Sequence, residues 1–302
     1  MMVRPGIVTA ASLAAVRAAI RPGVTTGELD AIAEAVIRGA GGEPNFMLVP
    51  GYRNTICASV NSEVVHGIPG PRVIEPGDIV SIDSGAQVDG FNGDSAFTMV
   101  VPDPSRPETV AERERLSRVT EGSLWAGIAA LATAGHLGEV GAAIEDHVEA
   151  HPSTLRPFDP STLRQAQGSP GSGESRLRGV QAQGGPGSGQ AAVHYGILED
   201  YAGHGIGRSM HEPPSVYNYR VRERGPRVRP GLVVAIEPMV TAGGIATVVR
   251  DDEWTVATSD GSDAAHWEHS VAVHANGIWV LTAEDGGVAG LAPFGVTPVP
   301  IP

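Results

Sequence analysis

The stretch from Asp78 to Val101, DIVSIDSGAQVDGFNGDSAFTMVV, is the most informative part of this chain about its fold. Two runs of strand-forming residues flank Asp89-Gly90, a dipeptide typical of the tight turn in a β-hairpin. The pattern therefore predicts two antiparallel strands. With the turn at Asp89-Gly90, Asp83 and Asp94 fall on partner strands within about two positions of facing each other. Their carboxylates can therefore reach the same point in space.

Three further ionisable residues, His204, Glu237 and Glu268, also lie in short apolar or glycine-rich runs. Acidic side chains rarely occupy buried strands unless they are paired or hold a metal. Four converging carboxylates would repel one another, whereas two divalent cations would cancel their charge. Oxygen ligands with one imidazole suit Mn, Fe, Co or Zn. The sequence therefore predicts a dinuclear metal site formed by Asp83, Asp94, His204, Glu237 and Glu268.

The composition narrows the classes of partner and compartment. The 21 basic and 34 acidic residues give a net charge of −13, which argues against a nucleic-acid or anionic-membrane partner. Cys57 is the one cysteine, so no intrachain disulfide can form and a reducing compartment is expected. The N-terminus does not resemble a signal peptide, and no apolar run has the ~18 residues needed to span a bilayer. We therefore expect a cytoplasmic protein.

The remaining elements follow from periodicity and from stop signals. A helix is predicted from Ala10 to Arg21, and a second from Gly27 to about Arg38, opened by a capping box of Thr25 and Glu28. Two more helices are predicted over 107–132 and 137–150. Extended segments are predicted at Ile56–Val65, Gly196–Tyr201, Leu232–Ile236, Thr247–Arg250, Trp267–His274 and Ile278–Leu281.

Residues 151–190 differ from the rest of the chain in composition. Pro152-Ser153-Thr154-Leu155-Arg156 recurs at 160–164, and Pro170-Gly171-Ser172-Gly173 recurs at 186–189. Such a segment cannot bury enough apolar surface to offset the entropy of ordering it. We therefore predict one catalytic domain over 1–302, interrupted at 151–190 by a disordered low-complexity insertion. A docking or regulatory loop is the alternative for this segment.

An ordered set of short motifs carries a family resemblance. In chain order it comprises Cys57-Ala58-Ser59-Val60-Asn61, Val65-His66-Gly67-Ile68-Pro69, Ile82-Asp83, Gly93-Asp94, Gly203-His204-Gly205-Ile206-Gly207, His211-Glu212-Pro213, Ile236-Glu237-Pro238 and Trp267-Glu268-His269. Together they resemble the type I methionine aminopeptidases, from about Val16 to Leu281. The resemblance implies an α+β pita-bread fold, in which two similar halves of antiparallel sheet are backed by helices around a central dinuclear metal site.

The resemblance also implies roles for individual residues. It implies that the five residues already named bind the two metals and that Glu237 is the general base. It implies that His66 contacts the scissile amide or the substrate amine, and that His211 stabilises the oxyanion. Cys57, Tyr52 and Trp254 would line the methionine side-chain pocket, while Val49 and Met210 depart from the aromatic residues of the family. His136, His147, His151, His194, His266 and His274 are interpreted as structural, and His269 should point to the opposite face of its strand from Glu268.

The function implied is removal of the initiator methionine from nascent proteins, with a small second residue preferred. The substrates would be N-terminal peptides available at the ribosome, and the enzyme is expected to be a monomer without direct nucleic-acid or membrane contact. One rival is another pita-bread peptidase, an Xaa-Pro aminopeptidase or prolidase, although the additional N-terminal domain usual in those enzymes has no room before His66. The second rival is a non-catalytic pita-bread binding protein, which would be expected to lose metal ligands.

Overall fold

The computed structural model describes residues 1–153 and 194–301, and within them antiparallel sheet forms the centre of the molecule. The largest sheet has nine strands. Seven follow the order β1-β4-β5-β14-β9-β7-β8, while β2 pairs with β4 and β15 pairs with β14. The strands of this sheet are β1 (Glu43–Pro44), β2 (Ile56–Val60), β4 (Ile79–Val88), β5 (Phe91–Val100), β7 (Gly203–Gly205), β8 (Glu212–Val216), β9 (Val233–Ile236), β14 (Glu268–His274) and β15 (Gly277–Val280).

Two three-stranded sheets flank the large one. Their orders are β13-β10-β6 and β11-β12-β3. The strands are β3 (Glu63–Val65), β6 (Gly196–Ile197), β10 (Met239–Thr241), β11 (Thr247–Val249), β12 (Val256–Thr258) and β13 (Ala264–His266). All six are only two or three residues long, so each contributes few backbone hydrogen bonds and mainly positions particular side chains.

Helices cover the sheets, as expected for an α+β protein. They are α1 (Val3–Ala19), α2 (Thr26–Gly39), α3 (Pro107–Leu131), α4 (Gly138–Glu149) and the single-turn α5 (Val288–Leu291). Helix α1 packs on the β4–β5 hairpin and on α2, and α3 packs on α4 and on β5 and β13. One continuous apolar core, including Val16, Leu29, Ile82, Leu124 and Val234, joins helices to sheet.

The β4–β5 hairpin has the predicted register. Asp89-Gly90 forms its turn with both residues at positive φ, 53° and 74°. Gly85 pairs with Asp94, and Asp83 pairs with Ala96. The two aspartates are therefore two positions from facing each other, as the turn position predicted. Because the side-chain period of a strand is two residues, they lie on the same face of the sheet.

Helix α1 begins seven residues earlier than the sequence predicts. Pro5 and Gly6 look like stop signals, but proline is tolerated in the first helical turn because the N–H groups there have no intrahelical acceptor. Gly6 lets the helix approach the end of β15, where an added Cβ would lie 2.5 Å from the Leu281 carbonyl oxygen. Helix α2 agrees with the prediction, and both hydrogen bonds of the Thr25–Glu28 capping box are present.

The short strands are where prediction and structure differ most. The predicted run Ile56–Val65 divides into β2 and β3 at Asn61, whose φ is 60°. Strands β1, β8, β10, β12 and β13 were not predicted, because two to five residues are too few to show a period. The predicted insertion at 151–190 lies, from residue 154 onward, outside the described residues.

None of the helices within 1–153 and 194–301 combines the length and the apolar character that crossing a bilayer requires.

The described residues that flank 154–193 meet each other. Helix α4 ends at Glu149 and β6 begins at Gly196, and the side chains of Ser153 and Tyr195 form a hydrogen bond. A few residues could therefore close this connection. We predict that replacing 154–193 with a short Gly-Ser turn leaves the melting temperature unchanged or raises it, because shortening a loop about eightfold stabilises by at most ~2 kcal/mol.

Thermal unfolding measures this directly, with a shuffled segment of equal length as the control. A lower melting temperature for the Gly-Ser variant, with the shuffled variant also destabilised, would mean that the natural sequence of 154–193 makes stabilising contacts.

Candidate metal centre

Two carboxylates of the centre come from the β4–β5 hairpin. Asp94 is 3% exposed, and its backbone is fixed to β14 by Ser270, which accepts from the Asp94 N–H at 3.1 Å and donates to its carbonyl at 2.8 Å. Asp83 is partly buried beside it. One carboxylate oxygen of each, Oδ1, is buried and has no hydrogen-bond partner among the described residues.

The imidazole comes from β7, in the run Gly203-His204-Gly205. Both glycines are required by close strand packing, because an added Cβ would lie 2.3 Å from the Ala235 carbonyl oxygen at Gly203 and 2.4 Å from that of Pro213 at Gly205. His204 is 9% exposed, and its Nδ1 lies 3.0 Å from the Gly205 carbonyl oxygen. Donation from Nδ1–H to that carbonyl leaves the Nε2 lone pair free to bind a metal.

Two glutamates complete the group. Glu237 directly follows β9, and its Oε1 lies 3.5 Å from His204 Nε2. Glu268 opens β14 opposite Ala96, is 2% exposed, and has an Oε1 without a partner among the described residues. Strand β14 pairs with both β5 and β9, so it joins the hairpin aspartates to the residues from the second half of the chain.

The donor atoms are close enough to share a cation. One ligand atom from each of Asp94, His204 and Glu268 lies within 4.8 Å of the other two. Two unit charges 4 Å apart at an effective dielectric of 20 interact by about 4 kcal/mol. Such repulsion would be comparable to the free energy of unfolding of a typical domain. Convergent, unpartnered carboxylate oxygens and a free imidazole nitrogen therefore fit a divalent metal site.

Burial and mutual repulsion both raise the pKa values of the acidic residues. Burial, then the neighbouring Asp94, raises the pKa of Glu237 well above its ordinary value, and burial followed by the other acids does the same for Asp83 and Glu268. Burial raises the pKa of Asp94 to about 7. Burial and the adjacent His211 lower the pKa of His204 to about 4, so its imidazole is neutral, as metal binding requires.

Two further histidines stand at the edge of the centre. His66 follows β3 with φ 60°, an unfavourable conformation for a residue other than glycine, and its ring lies 6.0 Å from that of Tyr201. The His211 ring lies 4.3 Å from the His204 ring. Burial lowers the pKa of both His66 and His211, so both are neutral hydrogen-bonding groups near pH 7.

A pocket of about 240 Å³ opens from the carboxylate group into an aromatic lining. Tyr52 belongs to this lining, with its hydroxyl 2.7 Å from the Ile56 carbonyl oxygen and 3.2 Å from Cys57 Sγ. The Tyr52 and Trp254 rings meet edge to face with centroids 5.1 Å apart. The Asp252 carboxylate holds the loop that carries Trp254 by accepting from the Trp254 N–H at 2.9 Å.

The structure brings all the sequence-predicted site residues to this one pocket. Its lining includes Asp83, Asp94, His204, Glu237 and Glu268, together with His66, His211, Tyr52, Cys57, Trp254, Val49 and Met210. Phe46, Tyr201 and Ala202 also line it, and sequence reasoning did not identify them. Tyr201 lies three residues before His204 in the sequence, and this proximity could have identified it as a residue of the site.

Two histidines near Glu268 differ from each other in orientation. His269 points away from the pocket, as predicted, with Nδ1 2.8 Å from Thr282 Oγ1 and its ring against Trp125. His266 was interpreted as structural. It is 2% exposed, yet its Nε2 lies 3.7 Å from Glu237 Oε2.

Comparisons with known proteins agree with this geometry. A model of metallopeptidase family M24 matches residues 1–275. Methionine aminopeptidase 1 of Mycobacterium tuberculosis is 43% identical over 282 residues, which cover 93% of this chain and 91% of that protein. The crystal structure of a methionine aminopeptidase from Thermotoga maritima is similar with a TM-score of 0.74 and 32% identity, covering 93% of this chain and 95% of the other.

A prolidase from Pyrococcus furiosus is also similar, with a TM-score of 0.59. It is 17% identical, and the match covers 93% of this chain but 62% of the prolidase. At this identity the likeness shows the fold alone. Together the two structural matches confirm the predicted pita-bread fold.

We predict that Glu268→Gln raises the melting temperature of chelator-treated protein and removes most of the stabilisation gained on adding Mn²⁺ or Co²⁺. The substitution relieves one buried repulsion when metal is absent and removes one ligand charge when metal is present. Differential scanning calorimetry with and without metal measures both effects.

Glu284→Gln, at an exposed position outside the pocket lining, is the matched control and should behave as wild type. A Glu268→Gln protein that gains as much stability from metal as wild type would contradict the assignment of this carboxylate.

Proposed function

The chain belongs to metallopeptidase family M24, and from this premise we infer that it is a methionine aminopeptidase, which removes the N-terminal methionine from newly made proteins. The observation that carries the inference is one continuous site: a buried group of four carboxylates and an imidazole opens directly into a small aromatic pocket. Relatives named methionine aminopeptidase match over almost the whole chain, which favours this reading over a prolidase.

We propose that Asp83, Asp94, His204, Glu237 and Glu268 hold two divalent ions. Two dications balance the four carboxylate charges, and the donor set suits Co, Mn, Fe or Zn. When bound, such ions supply Lewis acidity at the scissile carbonyl and lower the pKa of water, chemistry for which aminopeptidases are a recognised example.

Glu237 is proposed as the general base. Its carboxylate adjoins the pocket and faces imidazoles on two sides, His204 from Oε1 and His266 from Oε2. A carboxylate held in this way can accept a proton from the attacking water and deliver it to the leaving amine.

The two histidines at the pocket edge are proposed to bind the reacting peptide. His211, beside His204, would donate an N–H to the carbonyl oxygen as negative charge develops there. His66 would contact the scissile amide or the substrate amine. The left-handed backbone at His66 is consistent with a functional demand on its direction, because such conformations persist where surrounding structure imposes them.

The pocket is proposed to hold the methionine side chain. A polarisable thioether packs well against aromatic edges and a thiol, which Tyr52, Trp254 and Cys57 provide. The Cys57 thiol is 5% exposed, and burial raises its pKa well above the ordinary value, so it acts as a small apolar group and not as a thiolate.

Partners and location follow from this activity. We propose that the protein acts as a monomer in the cytoplasm, on N-terminal peptides of chains at the ribosome. The net charge of −13 disfavours direct contact with nucleic acid.

Peptide turnover tests the proposed function. Chelated protein is supplied separately with Mn²⁺, Fe²⁺, Co²⁺ and Zn²⁺ and offered Met-Ala-Ser, Met-Leu-Ser and an Ala-Pro peptide. We expect release of methionine, faster from Met-Ala-Ser than from Met-Leu-Ser, and negligible cleavage of Ala-Pro. Preferential cleavage of Ala-Pro would identify an Xaa-Pro peptidase, and a protein that binds peptide but cleaves none with any of the four metals supplied would identify a binding protein.

We predict that Asp94→Asn lowers kcat/KM by more than the 10–100-fold typical of groups that only support a ligand. The reason is that a ligand carboxylate between the two halves of the site loses its charge. Steady-state kinetics and metal analysis on the same sample test this. Near wild-type turnover with two bound metals would exclude Asp94 as a ligand.

For His211→Ala we predict a fall in kcat of about 10²–10³-fold, as for removal of an oxyanion donor, with a smaller change in KM. The split is expected because the donor acts mainly on charge that develops in the transition state. His194→Ala, at an exposed histidine outside the pocket lining, is the control. A rise in KM without a fall in kcat would instead make His211 a substrate-positioning residue.

A further inference from the structure

His266 is held more rigidly than a histidine that merely fills space. It ends β13, and Thr98 Oγ1 bridges its backbone, accepting from the His266 N–H at 2.9 Å and donating to the His266 carbonyl at 2.7 Å. The side chain is 2% exposed and is absent from the lining of the pocket. The fixed backbone aims the imidazole at the back of the metal centre.

The ring nitrogen that points there is unsatisfied. Nε2 of His266 is buried and has no hydrogen-bond partner among the described residues. Glu237 Oε2 lies 3.7 Å from this nitrogen. An unmade hydrogen bond at a buried polar atom is destabilising, so such an atom calls for an explanation. A shift of less than 1 Å would bring the pair to hydrogen-bond distance.

The chemistry of the pair selects one tautomer. A neutral imidazole carries one proton, on either Nδ1 or Nε2. If Nε2 lacked that proton, its lone pair would face the Glu237 carboxylate oxygen. The tautomer with the proton on Nε2 instead places a donor against an acceptor.

Glu237 is therefore flanked on two sides. His204 Nε2 lies 3.5 Å from Oε1, and His266 Nε2 lies 3.7 Å from Oε2. The backbone at Glu237 is fixed as well, because Asn218 Nδ2 donates to its carbonyl at 3.1 Å. The Glu237 carboxylate can then move mainly by rotation about its side-chain bonds. A hydrogen-bond donor at Oε2 would restrict that rotation.

We propose that His266 is a positioning residue that donates from Nε2–H to Glu237 Oε2 and thereby fixes the orientation of the Glu237 carboxylate. This inference rests on the proposed function, in which Glu237 binds metal and accepts a proton. It assigns to His266 no contact with substrate. Removing the donor should therefore weaken metal binding and lower kcat without a matching change in KM.

Three substitutions separate this role from packing. In His266→Gln the amide nitrogen can reach the place of Nε2 and donate to Glu237. In His266→Asn the shorter side chain keeps an amide that does not reach. His266→Leu preserves approximate volume without a donor. His274→Gln is the matched control, because that histidine lies on β14 with its Nε2 2.8 Å from the Val299 carbonyl oxygen, outside the pocket lining.

Each variant is measured by calorimetric titration of chelated protein with Mn²⁺, by thermal unfolding without metal, and by kcat and KM on Met-Ala-Ser. We expect His266→Asn and His266→Leu to lose 10–100-fold in Mn²⁺ affinity and in kcat, as for other groups that orient a metal ligand. His266→Gln should stay within about threefold of wild type in both, with KM changed less than threefold throughout.

Equal Mn²⁺ affinity in His266→Leu and wild type would overturn the proposal, as would an equal loss in His266→Gln and His266→Asn. Loss of the folded metal-free state in all three variants would assign His266 to packing and also overturn it. Wild-type protein that binds no Mn²⁺ and releases no methionine would refute the proposed function itself, which is a separate result.

Discussion

The central constraint on this structure is that four buried or partly buried carboxylates converge at one point. Placed within a few ångströms of each other without counter-charge, they would repel by several kcal/mol, enough to offset much of the stability of the fold. Paired strands hold these residues together despite the repulsion. Asp94 is fixed to β14 through Ser270, and β14 in turn pairs with β9, which precedes Glu237.

Under the proposed function, this arrangement would favour activity at the expense of metal-free stability, the trade-off expected where activity needs a strained or charged site. Close strand packing also shapes the candidate site. The two glycines beside His204 let β7 lie against its neighbours, and the Gly205 carbonyl, 3.0 Å from His204 Nδ1, favours the tautomer with a free Nε2 lone pair. Tyr52, Cys57 and Trp254 line the same pocket as the carboxylates, and in the proposed function they would hold the methionine side chain beside the reacting group.

Local sequence signals determined the parts of the fold that lie close together in the chain. The Asp-Gly turn fixed the hairpin register, and so which face Asp83 and Asp94 share. The Thr25–Glu28 spacing located the start of α2. The start of α1 was missed because Pro5 and Gly6 look like stop signals in the local sequence. In the structure the helix includes both residues and packs against Leu281, which lies far away in the chain. The shortest strands were missed because they exist only through their partners.

The side chains proposed to carry the chemistry could be identified from the sequence, because a charge in an apolar run is visible without a structure. The family motifs then supplied an expected role for each of those residues, and the structure brought all of them to one pocket. The neighbours of these side chains could be identified only from the tertiary structure. Phe46 and Tyr201 reach the pocket from separate segments, and His266 faces Glu237 across a contact between β13 and the end of β9. Such neighbours depend on distances between segments far apart in the chain, and no local pattern encodes those distances.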